Sequence, residues 1–153
     1  LAAALAVNAG DNASLAKADA TEAARSARAM DDFLAADVIV IGAPMYNFGI
    51  PSQLKAWIDR IAVAGTTFRY TANGPEGLVR GKRVIVAATY GGRHPVESGR
   101  NFVERYLRQV FGFFGIDAVE FVSAEALNVS PEQRTQALES AQAAIDALPA
   151  RAA

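Results

Sequence analysis

The chain has 153 residues with a formal net charge of −1; 52% are apolar and 20% charged, which suits one globular domain with a sizeable core and excludes a disordered chain. No basic stripe appears, so nucleic acid is not an expected partner. The chain has no cysteine, which rules out disulfides, thiolate nucleophiles and cysteine-held metals and fits a reducing cytoplasm. A single histidine, His94, excludes a poly-histidine metal site. No apolar run approaches the roughly 18 residues of a membrane span, so a membrane is not an expected partner either.

In chain order, residues 1–13 read as loop or frayed helix. Residues 14–35 predict a helix with an apolar stripe of Ala23, Ala27, Met30 and Leu34. The run Val38-Ile39-Val40-Ile41 predicts a buried strand over 38–42. Pro51 opens a second helix, whose face is Leu54, Trp57, Ile58 and Ile61 and whose end is set by Gly65. Thr66 to Tyr70 suggests a short extended piece, and Asn73-Gly74-Pro75-Glu76-Gly77 a dense turn. A second buried strand follows at 84–88. Residues 100–114 form a helix with a wide aromatic face, in which Tyr106, Phe111 and Phe113 exceed what one core face needs and hint at a partner subunit or a substrate wall. A third strand at 118–122 leads into Ser130-Pro131-Glu132-Gln133, an N-cap with a first-turn proline and a capping-box glutamine. The helix they open carries the stripe Leu138, Ala141, Ile145 and Leu148. Apolar strands alternating with helices predict an α/β fold, a doubly wound parallel sheet covered on both faces, with residues 1–153 as one domain.

Two loops stand at the carboxyl ends of strands, 44–50 and 89–95, where open parallel sheets bind ligands. The first, Pro44-Met45-Tyr46-Asn47-Phe48, joins a stiff proline to two aromatic faces and an amide, a set suited to a flat ring rich in heteroatoms. The second carries Gly91-Gly92, where backbone can approach a ligand with no Cβ between them. Taken alone, Gly-Gly reads better as a simple strand exit; beside the first loop, it reads better as a binding loop. His94 follows two residues later and is placed to meet a bound ring. No nucleophile elbow, phosphate-cradling loop or paired carboxylate is present. A reaction here therefore calls for a cofactor and for no catalytic side chain or metal.

The succession Pro44-Met45-Tyr46-Asn47-Phe48, Pro51-Ser52-Gln53-Leu54-Lys55, Gly65-Thr66-Thr67-Phe68-Arg69-Tyr70, Gly74-Pro75-Glu76-Gly77-Leu78 and Gly91-Gly92 with His94 resembles the FMN-dependent NADH:quinone oxidoreductase and azoreductase family. The resemblance runs from about Asp37 to the end of the chain. It implies a flavodoxin-like fold, FMN as cofactor, NADH or NADPH as donor, and two-electron ping-pong transfer to quinones or azo compounds. By the same resemblance, Pro44, Met45, Tyr46, Asn47 and Phe48 with Thr89, Tyr90, Gly91, Gly92 and His94 hold the flavin. Tyr70 and Phe113 line the substrate site, in part across a homodimer interface. The alternative of another class is a flavodoxin-type electron carrier or non-catalytic flavin module; the mixed charge and sequence pI of about 5.8 speak against an acidic carrier.

Two features depart from the family pattern. Thr89-Tyr90 stands where many relatives have Ser-Arg. The first strand and the Ser-rich phosphate loop are not found, so a longer parent is expected to supply roughly 45–55 residues, about one βαβ unit. On that expectation the 153-residue chain binds FMN poorly, because it lacks the phosphate grip.

Overall fold

The computed structural model describes residues 17–149. Its elements are α1 (Lys17–Ala35), β1 (Val38–Pro44), α2 (Ser52–Ile61), β2 (Phe68–Thr71), β3 (Gly74–Gly77), β4 (Arg83–Thr89), a 3₁₀ turn (Val96–Ser98), α3 (Phe102–Phe114), β5 (Val119–Ala124) and α4 (Pro131–Asp146). Residues 1–13, read from sequence as loop or frayed helix, lie outside the described residues.

The three apolar runs become the three parallel strands, in the order β1-β4-β5. Val38 is in register with Arg83 and Pro44 with Thr89, so β1 and β4 end level and bring the loops that follow them side by side. β5 joins the far side of β4, with Thr89 opposite Ala124. Side chains alternate across β1, which puts Ile39, Ile41 and Ala43 into the core. There they meet Val84 and Val86 of β4, Phe33 of α1, Ile58 and Ile61 of α2, and Leu107, Phe111 and Phe114 of α3.

Among the described residues, one face of β1 is open. Val40, on the face opposite the core, is 71% exposed, and its neighbour Val38 is also exposed. The last helix, α4, packs against β5 but fully buries none of its residues; Leu138 and Ile145 of the expected stripe remain exposed. The first helix turns further than its alanines suggested. Its buried line is Ala23, Ser26 and Phe33 with Met30 beside it, and Leu34 faces outward.

Ends of helices are set partly by residues outside the expected signals. Ser130 caps α4 as the sequence suggested, accepting from the Gln133 N–H at 3.3 Å. Pro51 sits one position before α2 and not inside it. That helix stops at Ile61, well before Gly65, because the fully buried Thr67 hydroxyl donates to the Ile61 carbonyl at 2.7 Å and accepts from the Val63 N–H. Phe111, counted among the surplus aromatics of α3, is fully buried in the core.

The stretch read as a dense turn, 73–77, is half strand. Gly74–Gly77 pairs antiparallel with Phe68–Thr71, and only Ala72 and Asn73 turn. Pro75 is tolerated because this two-stranded ribbon has only edges. The ribbon is pressed onto the end of α3. A Cβ on Gly77 would stand 2.2 Å from the Gly115 nitrogen and 2.3 Å from the Phe114 carbonyl carbon. Only a glycine allows main chain to approach main chain so closely.

Candidate functional site

Beyond Pro44 the chain makes a two-residue reversal. Tyr46 and Gly49 exchange both main-chain bonds at 3.0 Å, which leaves Asn47 and Phe48 at the tip. Both tip residues have positive φ, 48° and 69°. Asparagine tolerates that region; for phenylalanine it is a strained conformation. Strain of this kind persists where the surrounding structure dictates it, and it gathers at functional sites. It turns the Asn47 and Phe48 N–H groups outward, and neither has an acceptor among the described residues. Tyr46 and Phe48 present their rings to solvent, at 63% and 50% exposure. Met45 and Pro44 are half-buried beneath them, and the Met45 N–H donates to Thr89 at 2.9 Å, tying the first loop to the end of β4.

The second loop is tied down through its carbonyls. Tyr90, Gly91 and Gly92 accept from the N–H groups of Leu127, Asn128 and Ala126, all within 3.1 Å. The N–H groups of Gly91 and Gly92 have no acceptor among the described residues. Two pairs of unspent donors therefore stand at the same edge of the sheet, one on each loop. Gly91 and Gly92 carry no side chain of their own, and the Asn128 amide and the His94 ring stand 2.8 and 3.3 Å from where their Cβ atoms would be.

His94, in the second loop, reaches toward the first. Its ring is edge-on to Phe48, with centroids 5.8 Å apart, and 6.1 Å from the Tyr90 ring. The Glu125 carboxylate accepts the His94 N–H at 3.2 Å, and the Asn101 side-chain amide donates to the His94 carbonyl at 3.0 Å. Tyr90 departs from the expectation that it touches a ligand. Its ring is buried, its hydroxyl accepts from Asn101 at 3.2 Å, and burial holds its phenol above the usual tyrosine pKa. It supports the loop from beneath.

Of the two residues expected to line a substrate site, Tyr70 is 75% exposed on β2 and Phe113 is half-buried on α3. Phe68 joins them into one cluster, 5.6 Å from Tyr70 and 4.5 Å from Phe113. That cluster sits at the far end of α3 from the two loops, about 16 Å along the helix axis from Phe102 to Phe113. One chain does not bring the two groups together. Near the loops, an open groove of about 740 Å³ runs between Gly49, Ile50, Phe102, Arg105 and Tyr106.

Three polar residues of this region were not singled out from the sequence: Asn101, Glu125 and Asn128. Asn101 had a readable signal, since Asn101-Phe102-Val103-Glu104 has the spacing of an N-cap. Glu125 and Asn128 had none, because their place beside loop 91–94 depends on the sheet order.

A flavodoxin-like fold, with two loops side by side at the carboxyl edge of β1 and β4, is the class defined by this architecture. The family model for the flavodoxin-like fold matches residues 2–148, and the chain belongs to that family. Among curated proteins, the chain is 61% identical over 131 residues to "FMN-dependent NADH:quinone oxidoreductase 1" of Xanthomonas euvesicatoria pv. vesicatoria (strain 85-10), covering 86% of this chain and 67% of that protein. It is 57% identical over 134 residues to the FMN-dependent NADH:quinone oxidoreductase of Stenotrophomonas maltophilia (strain K279a), covering 88% and 68%. Among solved structures, an azoreductase from Bacillus anthracis str. Sterne superposes with a TM-score of 0.76 at 28% identity, over 95% of this chain and 72% of that one. An FMN-dependent NADH-azoreductase from Bacillus anthracis str. Ames Ancestor in complex with FMN gives the same TM-score and identity, over 95% and 71%.

Proposed function

We propose that this protein is an FMN-dependent NADH:quinone oxidoreductase with azoreductase activity. The observation that carries the reading is the pairing of unspent main-chain donors, at Asn47 and Phe48 and at Gly91 and Gly92, on two adjoining loops, the second of which sets the His94 ring against Phe48 of the first. These residues fit an isoalloxazine. Exposed aromatic faces at Tyr46 and Phe48 stack on a flat ring, and the bare glycines let the backbone meet its edge. FMN supplies the two-electron chemistry that joins NADH to a quinone or azo acceptor. The chain orients that ring, excludes water from one side, and aims fixed N–H dipoles where negative charge gathers. Pro44, Met45 and Thr89 brace the first loop, and the His94 imidazole stands at the mouth.

The donor in this reading is NADH, as in the names of the relatives, and the setting is the cytoplasm. The working unit is a homodimer. Tyr70 and Phe113 lie too far along α3 to face their own chain's loops, so a second copy seated on the groove beside Phe102 and Tyr106 supplies the substrate wall. The test is stopped-flow mixing of FMN-loaded protein with NADH and, separately, NADPH, followed by benzoquinone and an azo dye. Sedimentation is run on the same sample. Rapid flavin bleaching by NADH and recolouring by either acceptor is the expected result. Bleaching with no recolouring by either acceptor refutes the reading.

A further inference from the structure

We infer that Asn101 is a positioning residue for the flavin-side loop: one buried amide fixes at once the start of α3 and the carbonyl of His94. Its side chain is 2% exposed and all its polar groups are engaged. The Oδ1 atom accepts from the Glu104 N–H at 3.1 Å and caps the helix. The Nδ2 atom donates to the His94 carbonyl at 3.0 Å and to the Tyr90 hydroxyl at 3.2 Å. On the other side of His94, Glu125 accepts its N–H. The main chain of His94 is thus held at both ends by side chains from two different elements, α3 and the segment after β5.

The arrangement explains why a residue in an irregular stretch holds its ring beside Phe48. Residues 93–100 form no sheet bonds, and all but His94 are exposed, so the loop has little packing of its own. A buried side-chain amide with both ends satisfied adds an anchor from outside to a loop whose own bonds lie at its exposed surface. It also accounts for the tyrosine at 90. With its hydroxyl turned inward as an acceptor, Tyr90 uses the second Nδ2 proton, and the amide has one orientation that satisfies every partner. The consequence for flavin binding rests on the reading of His94 given above; the clamp itself does not.

The full chain offers a direct test, because His94 and Trp57 are its sole histidine and sole tryptophan. Each gives one assignable NMR signal. Ring currents from Phe48 and Tyr90 displace the His94 imidazole signals, and Trp57 reports the core. Asn101→Asp keeps the capping oxygen and sets an acceptor against the His94 carbonyl, which can only accept, while the Tyr90 hydroxyl can turn to donate. In that variant the His94 signals are expected to move toward those of free histidine while the Trp57 indole signal stays in place. FMN affinity, read by flavin fluorescence quenching, is expected to fall about tenfold, the equivalent of one lost hydrogen bond of ordinary strength. Unchanged His94 signals in a folded Asn101→Asp protein overturn the inference. A second measurement needs no variant: the Asn101 side-chain amide protons of the parent are expected to exchange slowly with solvent. Exchange as fast as that of an exposed asparagine overturns it equally. Displaced His94 signals with unchanged FMN affinity support the clamp and count against the flavin reading of His94.

Discussion

Phe48 offers a test in which stability and function are expected to move apart. With φ at 69°, it occupies a region that disfavours any residue bearing a Cβ by about 1–2 kcal/mol. Its ring is half exposed and its recorded ring contact is the edge-on one to His94, worth roughly 0.5 kcal/mol at such a site. Phe48→Ala loses that contact and keeps the strain. Phe48→Gly loses the contact, relieves the strain, and gives back about 0.5–1 kcal/mol through the greater freedom of glycine in the unfolded chain. Glycine is therefore expected to be the more stable of the two by several tenths to about 1 kcal/mol. For a domain of this size that is roughly 1–4 °C in Tm. At most positions the order is the reverse. Both variants remove the aromatic face, so FMN affinity by fluorescence quenching is expected to fall about tenfold in both. Thermal melts of the three proteins under one buffer decide the matter. If the alanine variant melts at or above the glycine variant, Phe48 does not hold this strained turn and the argument for outward-turned donors at 47 and 48 fails.

Gly91→Val is expected to cut FMN affinity at least tenfold by fluorescence quenching, since even the first carbon of a side chain would stand 2.8 Å from the Asn128 amide and a branched one would cover the free N–H groups. Normal affinity there would remove loop 89–94 from the site. Gly77→Ala drives its Cβ into the main chain of α3 at 2.2 Å and is expected to cost about 3 kcal/mol, lowering the urea midpoint by roughly 1.5 M. A midpoint within experimental error of the parent would show that the ribbon does not press on the helix. Glu120 is held below the usual carboxylate range by the hydrogen bond from Arg83, at 3.0 Å between Nη2 and Oε2. A carboxylate depressed on folding adds stability above its unfolded pKa of about 4.3 and loses it as pH falls through the folded value. Glu120→Gln should therefore show a shallower acid-side decline in urea midpoints measured from pH 7 to pH 3, and an unchanged slope would refute the pairing.

The strands were readable because each is a run of consecutive apolar residues, and the structure moves their ends by only a residue or two. Ser130-Pro131 was readable for a similar reason, since capping is a matter of neighbours in sequence. The ribbon strand Gly74–Gly77 was hidden, because two glycines and a proline look like a turn until α3 is known to lie within main-chain contact. Phe33 was missed where Ala27 and Leu34 offered an equally good spacing, and only the position of Trp57 and Phe114, both edge-on to Phe33, decides which line faces inward. At the site, the two loops were legible from their place after β1 and β4. The positive φ of Phe48, the inward turn of Tyr90 and the grip of Asn101 and Glu125 on His94 were not. The first belongs to a tight reversal that Phe48, a residue disfavoured at positive φ, does not announce, and the other two depend on how β4, α3 and the segment after β5 come together.

The three main-chain bonds that pin Tyr90, Gly91 and Gly92 to residues 126–128 have a consequence for how such a site changes over evolutionary time. None of them depends on a side chain, so Leu127 and Asn128 can be exchanged without shifting the loop they hold. Asn128 already leans over Gly91, with its amide 2.8 Å from where a Cβ would be. Position 128 is thus an interchangeable rim on a fixed frame, where a new side chain can reach an incoming molecule while the backbone beneath it stays put.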